Sequence, residues 1–286
     1  MAFGKELGDM FKYLAAGKDL YECELYTKLQ DSLLLMPNRN GCSCQIELIH
    51  GQRFQVTFKS KMFTKLPIKK SCELSDMAFL VYKRNPKPEG RFFFLQNKNA
   101  EIIKRIHKND AFKASIFQWE LLAKKRSFEY NSNNYDILLK AKCPSISNYG
   151  VFFQDGKKSY DMALYASQNT KISYPAKMTA SAKNRDVYIE FNGKKDSMLV
   201  NADGIKYYEG LSSIEKFGDA LVSLQIGEPL NAVLHSALVE RTDAIESKLL
   251  NEFKNLNFRD DNNSNTYNSI PRIHTWIVMD VTDKFE

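Results

Sequence analysis

Two apolar runs on either side of a short loop constrain the fold of this chain most strongly: MAFLVY at residues 77–82 and RFFFL at residues 91–95. The connecting segment, RNPKPEG, carries prolines and a glycine, and proline cannot serve a central position in a sheet ladder. Short apolar runs bounded by such a loop are typical of buried strands. The sequence therefore predicts a hairpin of two strands, over about residues 76–83 and 91–98.

Polar residues lie at the ends of both strands, where a buried hairpin would not normally place them. Asp76 precedes the first run, and Gln96 and Lys98 follow the second. If the strands pair about the loop centre, Lys83 faces Arg91, and Asp76 then lies opposite Lys98 and diagonal to Gln96. Because side chains alternate along a strand, the three polar groups share a face in this assumed register, whereas a slip by one residue would move Asp76 to the other face.

This cluster has two interpretations. It could be a plain Asp–Lys cross-strand pair at the end of a hairpin. Alternatively, it could be a site where a carboxylate binds a cation beside an ammonium group, which compensates a charge that is costly to bury alone.

Helices and further strands surround the hairpin in the predicted order. Residues 18–36 place Leu25, Leu29 and Leu33 at helical spacing, which predicts a first helix packed on a sheet. Alternating apolar and polar residues over 44–59 predict two antiparallel strands joined by a tight turn at residues 50–52. The segment AFKASIFQWELLAKKR, residues 111–126, predicts a helix of about four turns that covers the sheet.

The remainder of the chain also mixes helices and strands. Strands are predicted in NYGVFFQ, DVYIEFNG, DSMLVNADG and HTWIVMDV. Helices are predicted over residues 214–227 and 229–256, and the polar segment NFRDDNNSNTYNS predicts a loop.

The charge suits a polyanionic partner such as nucleic acid without requiring one. Forty-one Lys and Arg against thirty-four Asp and Glu give a net charge of +7. Lysine clusters at residues 59–70, 104–108 and 124–126 could contact phosphates, although a solvated face explains each cluster equally well. Five cysteines form no even-numbered disulfide framework, and no signal peptide or membrane span is recognisable, so we expect a cytoplasmic protein.

The hairpin motif resembles a known signature. Asp76, an apolar strand, a loop, a second apolar strand and Gln96-Asn97-Lys98 resemble the D…(E/Q)-x-K pattern of the PD-(D/E)XK, or restriction-endonuclease-like, nuclease superfamily. The order of predicted elements over roughly residues 18–155 is similar to its common core. ELSDMAFLVY and FFFLQNK resemble prokaryotic members found in restriction and phage-defence contexts.

The resemblance implies a mixed α/β fold: a restriction-endonuclease-like core with a central mixed sheet flanked by helices, and a C-terminal α/β elaboration. The core would occupy residues 1–170, and the elaboration residues 171–286, either as a separate unit or within the same compact domain.

The resemblance also implies a Mg²⁺-dependent nuclease acting on DNA, with Mn²⁺ as a substitute and RNA not excluded. Asp76 would be the main metal ligand and Gln96 a second ligand through its carbonyl. Lys98 would position or activate the attacking water and offset charge at the phosphate. Gln96 stands where Glu is commoner, and Ser75 stands where the family name has Pro. These departures leave open a catalytically inactive nucleic-acid-binding or regulatory subunit of a defence complex.

A further acid would strengthen the metal site, because a neutral amide binds a hard dication less strongly than a carboxylate does. Glu22 is the best candidate, since it lies on the apolar stripe of the first helix, and helix glutamates act this way in many members of the superfamily; solvation at the helix edge is its alternative interpretation. Glu73 is a weaker candidate, and Glu24 faces the opposite side. Gln118, on the helix after the motif, could line the cleft.

Overall fold

A computed structural model provides the structure of the chain. It describes residues 3–17, 19–36, 42–48, 55–62, 66–100, 111–155, 159–174, 186–242, 248–258 and 275–282.

Both helices and strands are spread along the whole chain. The helices are α1 (Phe3–Ala15), α2 (Glu22–Leu35), α3 (Ile116–Ala123), α4 (Ile137–Lys140), α5 (Ile214–Val222), α6 (Ala232–Thr242) and α7 (Lys248–Lys254). The strands of the first half are β1 (Ser43–Leu48), β2 (Gln55–Ser60), β3 (Ile68–Glu73), β4 (Met77–Lys83), β5 (Glu89–Asn99), β6 (Ala111–Ser115), β7 (Phe128–Tyr130) and β8 (Asn133–Tyr135). Those of the second half are β9 (Ser147–Gln154), β10 (Tyr160–Ala166), β11 (Thr170–Tyr174), β12 (Asp186–Phe191), β13 (Met198–Val200), β14 (Lys206–Tyr208), β15 (Gly210–Leu211), β16 (Glu228–Pro229) and β17 (Thr275–Asp280).

A large mixed sheet forms the centre of the molecule. Its strand order is β1-β17-β4-β5-β9-β10-β15, with β16 also paired to β5. The pairs β17–β4 and β5–β9 are parallel, and the other pairs are antiparallel. Three smaller sheets have the orders β3-β2-β7-β8, β11-β12-β6 and β13-β14. The chain is therefore a mixed α/β protein with a large mixed sheet flanked by helices, as predicted.

Strand β4 explains why the MAFLVY run is apolar throughout. Ala78, Leu80 and Tyr82 enter a core shared with α3, α6 and α7, whereas Met77, Phe79 and Val81 enter a second core shared with α1, α2 and α5. Both faces of the strand are covered from Met77 to Tyr82, which explains why these six positions are apolar and why only Lys83, at the end of the strand, is charged.

The predicted hairpin is confirmed, but its register differs from the predicted one. Lys83 pairs with Glu89 rather than with Arg91, and Met77 pairs with Leu95. This change of two residues keeps every side chain on its predicted face, because the strand period is two. It places Gln96, rather than Lys98, beside Asp76.

Two other predictions were wrong in their pairing or type. Strands β1 and β2 exist, but they are not a hairpin: β1 pairs with β17 in the central sheet, and β2 pairs with β3 and β7. The helix predicted over residues 111–126 begins only at Ile116, because β6 precedes it and pairs with β12.

Among the helices, α2 confirms the prediction over residues 18–36 with a later start, but it is not the first helix, since α1 precedes it. The polar segment 257–269 lies largely outside the described residues.

Candidate functional site

The four predicted site residues lie where β5 extends beyond the start of β4. Asp76 directly precedes β4, and Glu22 is the first residue of α2. Gln96 and Lys98 lie near the C-terminal end of β5. The Gln96 amide nitrogen lies 2.9 Å from each oxygen of the Asp76 carboxylate. The Lys98 ammonium lies 3.1 Å from Glu22 Oε1. The structure therefore forms two contacting pairs, Asp76 with Gln96 and Glu22 with Lys98.

The backbone of β5 explains why carboxylates occupy this place. The Asn97 N–H donates to Asp76 Oδ2 at 2.6 Å, and the Asn99 N–H donates to Glu22 Oε2 at 3.3 Å. Asn97 and Asn99 are two residues apart, so their N–H groups point to the same edge of β5. The pairing of β4 with β5 begins at Met77 and Leu95, so no β4 carbonyl lies opposite these N–H groups to accept their hydrogen bonds. Asp76 and Glu22 thus continue the ladder with side-chain oxygens, and each has a structural role whatever its chemical role.

The Gln96 amide is held at both ends. Its carbonyl oxygen accepts a hydrogen bond from Gln118 Nε2 at 2.7 Å, and that same nitrogen donates to the Glu73 main-chain carbonyl at 3.1 Å. Gln96 and Gln118 are only 2% and 6% exposed. The Nε2 end of the Gln96 amide therefore faces Asp76, and its carbonyl oxygen faces α3. If Gln96 and Asp76 bound one metal ion together, the amide would have the opposite orientation, with its carbonyl oxygen towards Asp76.

The charge balance at Asp76 is unusual for a carboxyl group. Burial raises its pKa, and the Glu22 charge raises it further, whereas the Lys98 charge, the Asn97 N–H and the Gln96 amide lower it. A carboxyl whose pKa is raised by its dry surroundings is a common feature of catalytic and binding sites, although structural ion-pair networks also produce one.

Tyr26 borders the site, a position that the sequence interpretation did not assign. Burial raises its pKa, and the nearby Asp76 charge is the next largest cause. Tyr26 follows Glu22 by four residues, so both side chains lie on one face of α2. That spacing from Glu22 was the signal in the sequence that could have identified Tyr26.

The other acids named from the sequence have different environments. Glu24 is exposed and accepts a hydrogen bond from the Tyr21 N–H at 2.8 Å, so it caps the start of its own helix. Glu73 also has an exposed side chain, and it contributes its main-chain carbonyl to the Gln118 contact.

The basic clusters are partly engaged in structural contacts. Lys125 donates to the Ala141 carbonyl at 2.6 Å, Arg126 contacts Glu120 at 3.1 Å, and Lys124 lies 5.2 Å from the centre of the Trp119 ring. Within residues 59–70, Lys59 and Lys69 face each other across β2 and β3, and Lys69 pairs with Glu129 at 2.5 Å. The cluster at residues 104–108 lies outside the described residues.

The site contains carboxylate oxygens, the type of ligand that Mg²⁺ prefers. Mg²⁺ is usually bound by one or two carboxylates and keeps several water ligands, and Asp76 with Glu22 supplies two carboxylates. Gln96 would add a carbonyl if its amide were reversed. Within the described ranges, no group of three or more His, Cys, Asp or Glu side chains is placed to hold a metal ion.

Fold and site together define a mixed α/β protein with a carboxylate–amide–lysine cluster at the end of its central sheet. A scan against protein-family models, a search of curated proteins and a search of solved structures each found no match. None of the helices in the described part of the chain has the length and hydropathy needed to cross a membrane.

Proposed function

We propose that this chain is a Mg²⁺-dependent nuclease that hydrolyses phosphodiester bonds of DNA on a restriction-endonuclease-like core. One observation carries the proposal: an acid from before β4, a lysine from β5 and an acid from the start of α2 come together at the end of one sheet. The lysine–acid contact spans 76 residues of sequence, from Lys98 Nζ to Glu22 Oε1 at 3.1 Å. Residues this far apart are brought together only by tertiary structure.

The residues of the chain have separable tasks in this proposal. Asp76 and Glu22 would hold Mg²⁺, which supplies positive charge at the phosphate and lowers the pKa of water. Lys98 would hold an ammonium next to the phosphate and offset its charge. The Lys98 side chain is only 15% exposed and that of Glu22 40%, so the lysine is held from the protein side while the acid borders solvent.

A plasmid assay tests this function. Supercoiled DNA incubated with the protein should be nicked in Mg²⁺ and not in EDTA. Lys98→Ala should reduce the rate by about 100-fold, the usual effect of removing one group that stabilises charge at the reacting centre. Lys171→Ala is a matched control, because Lys171 also pairs with a glutamate, Glu190, at 3.8 Å but lies on β11. Circular dichroism should confirm that both variants are folded.

Absence of metal-dependent cleavage by the wild-type chain, on duplex DNA, single-stranded DNA and RNA alike, would rule out the nuclease. Equal losses in Lys98→Ala and Lys171→Ala would remove Lys98 from the mechanism.

A second function, a nucleic-acid-binding or regulatory subunit without catalysis, is favoured by a different observation. The Asp76 carboxylate already accepts hydrogen bonds from the Gln96 amide and the Asn97 N–H. A carboxylate whose oxygens already accept several hydrogen bonds from the protein has less capacity for a cation. This function predicts salt-sensitive DNA binding, measured by fluorescence anisotropy, that survives Lys98→Ala without cleavage in Mg²⁺ or Mn²⁺.

A further inference from the structure

We propose that Gln118 is a positioning residue that fixes which end of the Gln96 amide meets Asp76, so that a divalent ion can use Gln96 as a ligand only after this amide pair is disrupted. The link to a metal rests on the proposed function. The orientation of the amides is a property of the metal-free chain.

The direction of the hydrogen bonds follows from one group that cannot change its role. The Glu73 main-chain carbonyl can only accept, so the Gln118 atom 3.1 Å from it must be the amine nitrogen. The same nitrogen lies 2.7 Å from the end of Gln96, which must therefore be the carbonyl oxygen. The other end of Gln96 is then the amine, and it donates to the Asp76 carboxylate, an acceptor when ionised.

Rotating the Gln96 amide by half a turn, so that its nitrogen and oxygen exchange places, would break these hydrogen bonds. Its amine would then face the amine of Gln118, and two donors cannot satisfy each other. If Gln118 also reversed, its carbonyl oxygen would face the Glu73 carbonyl, and two acceptors would meet. A metal that takes the Gln96 carbonyl must therefore displace hydrogen bonds at both glutamines.

Helix α3 cannot simply move away to relieve this conflict. The residues after Gln118 tie the helix to two other parts of the fold. Trp119 Nε1 donates to Thr170 Oγ1 at 3.0 Å, and the buried Glu120 carboxylate accepts from Ser60 Oγ at 2.5 Å and from the Lys61 N–H at 3.1 Å. Gln118 is thus presented to Gln96 from a fixed position.

Manganese binding to the full chain tests the proposal, measured by the loss of the electron paramagnetic resonance signal of free Mn²⁺. Gln118→Met keeps a similar volume but removes the amide, so the Gln96 carbonyl oxygen loses the donor that holds it on the side of α3. We expect Mn²⁺ to bind about fivefold more tightly, equivalent to about one net hydrogen bond. Gln30→Met is the matched control, because Gln30 is also a buried helical glutamine, but it donates to Thr275 Oγ1 at 3.3 Å. The Gln30→Met variant should bind Mn²⁺ with the same affinity as the wild-type chain.

A double-mutant cycle separates positioning from a general structural effect. In a Gln96→Glu background there is no amide to orient, so adding Gln118→Met should no longer tighten Mn²⁺ binding. Weaker binding in Gln118→Met, or the same change in both backgrounds, would overturn the positioning role.

A neutron crystal structure of the deuterated, metal-free protein tests the orientation without any metal. Both deuterium atoms of the Gln96 amide should lie on the side of Asp76; deuterium atoms facing Gln118 would overturn the proposal. If the orientation is as proposed but neither the wild-type chain nor Gln96→Glu binds Mn²⁺, the positioning role stands and the nuclease function fails.

Discussion

Gln96 is one of two residues that differ from the signature that the sequence resembles, and its contacts give a physical reason for an amide at this position. Its amine lies 2.9 Å from both oxygens of Asp76. A glutamate in the same place would bring two carboxylates together beside a largely buried sheet, which is unfavourable unless a cation lies between them. The glutamine therefore stabilises the metal-free fold, but it is a weaker metal ligand than a glutamate at this position would be.

The variant Gln96→Glu should make folding stability depend on metal. In EDTA at neutral pH we expect a loss of about 3 kcal/mol in the free energy of unfolding, the typical effect of an uncompensated buried charge. Saturating Mg²⁺ should recover most of this loss, because an ion that binds only the folded state stabilises that state, and the stabilisation increases with the ratio of ion concentration to Kd. Urea unfolding in EDTA and in Mg²⁺ measures both quantities.

Gln30→Glu provides the control for this prediction. It also introduces a carboxylate at a buried glutamine, but its contact is Thr275 rather than an acid. Gln30→Glu should lose stability without recovering it in Mg²⁺. Equal recovery in both variants, or none in Gln96→Glu, would contradict a metal site at Asp76.

The sequence predicted which residues meet at the site, but not how they are oriented. Asp76, Gln96 and Lys98 could be grouped because they flank two apolar runs, and Glu22 because a charge on an apolar stripe needs a partner. The orientation of the Gln96 amide depends on Gln118 and on a main-chain carbonyl of β3, and no local pattern contains that information. The N–H groups of Asn97 and Asn99 were also missed, since backbone donors leave no signature in a sequence.

At the scale of elements, the contact between α1 and α5 depends on glycine. A Cβ atom at Gly4 would lie 1.9 Å from the Glu215 main-chain oxygen, and one at Gly218 would lie 2.8 Å from the Gly4 Cα. The two helices therefore approach too closely for side chains at these positions. This contact fixes α1 against the helix that covers the same face of the central sheet.

Alanine substitutions in α1 should separate this close contact from helix propensity. Gly4→Ala should destabilise the protein by about 2 kcal/mol, because the clash is with backbone that must shift. Gly8→Ala, in the same helix, should be neutral or stabilising by up to about 1 kcal/mol, because its Cβ would lie 3.5 Å from the nearest atom and alanine favours helix. Thermal or urea unfolding measures the difference, and equal effects would mean that the helices do not cross at Gly4.

The elements that were predicted correctly are those whose burial can be recognised from the residues of the element itself. Strands β4, β5 and β9 are short apolar runs between loops, and they were predicted near their true bounds. The errors concern partners that are distant in sequence: β1 pairs with β17 near the C-terminus, and β6 is a strand because β12 pairs with it. Period and propensity describe a single segment, whereas strand pairing is decided by the tertiary structure.

At the scale of the whole molecule, the central sheet joins both ends of the chain. Strand β17 lies between β1 and β4 and pairs with β4 in parallel over all six of its residues, Thr275 to Asp280. Strand β16, from the second half, pairs with Phe92 and Arg91 at the start of β5. The strands that carry the candidate site are thus supported on one side by a strand that lies 198 residues later in the sequence, as in the pair Thr275–Met77 (275 − 77 = 198), a separation typical of slow, non-local folding.

This arrangement predicts that residues 1–170 do not fold alone, although the signature lies entirely within them. The fragment lacks β17, so β4 would lose its parallel neighbour, and β1 would be left without the strand that joins it to the sheet. It also lacks α5, whose Phe217 and Leu221 cover the face formed by Met77 and Phe79. For residues 1–170 we expect no cooperative urea transition by circular dichroism. Residues 1–282, which keep β17, should unfold cooperatively. The dependence of their unfolding free energy on urea concentration should be nearly that of the full chain, because this dependence follows the surface exposed on unfolding. A cooperative transition in the short fragment would instead support a separate domain ending near residue 170.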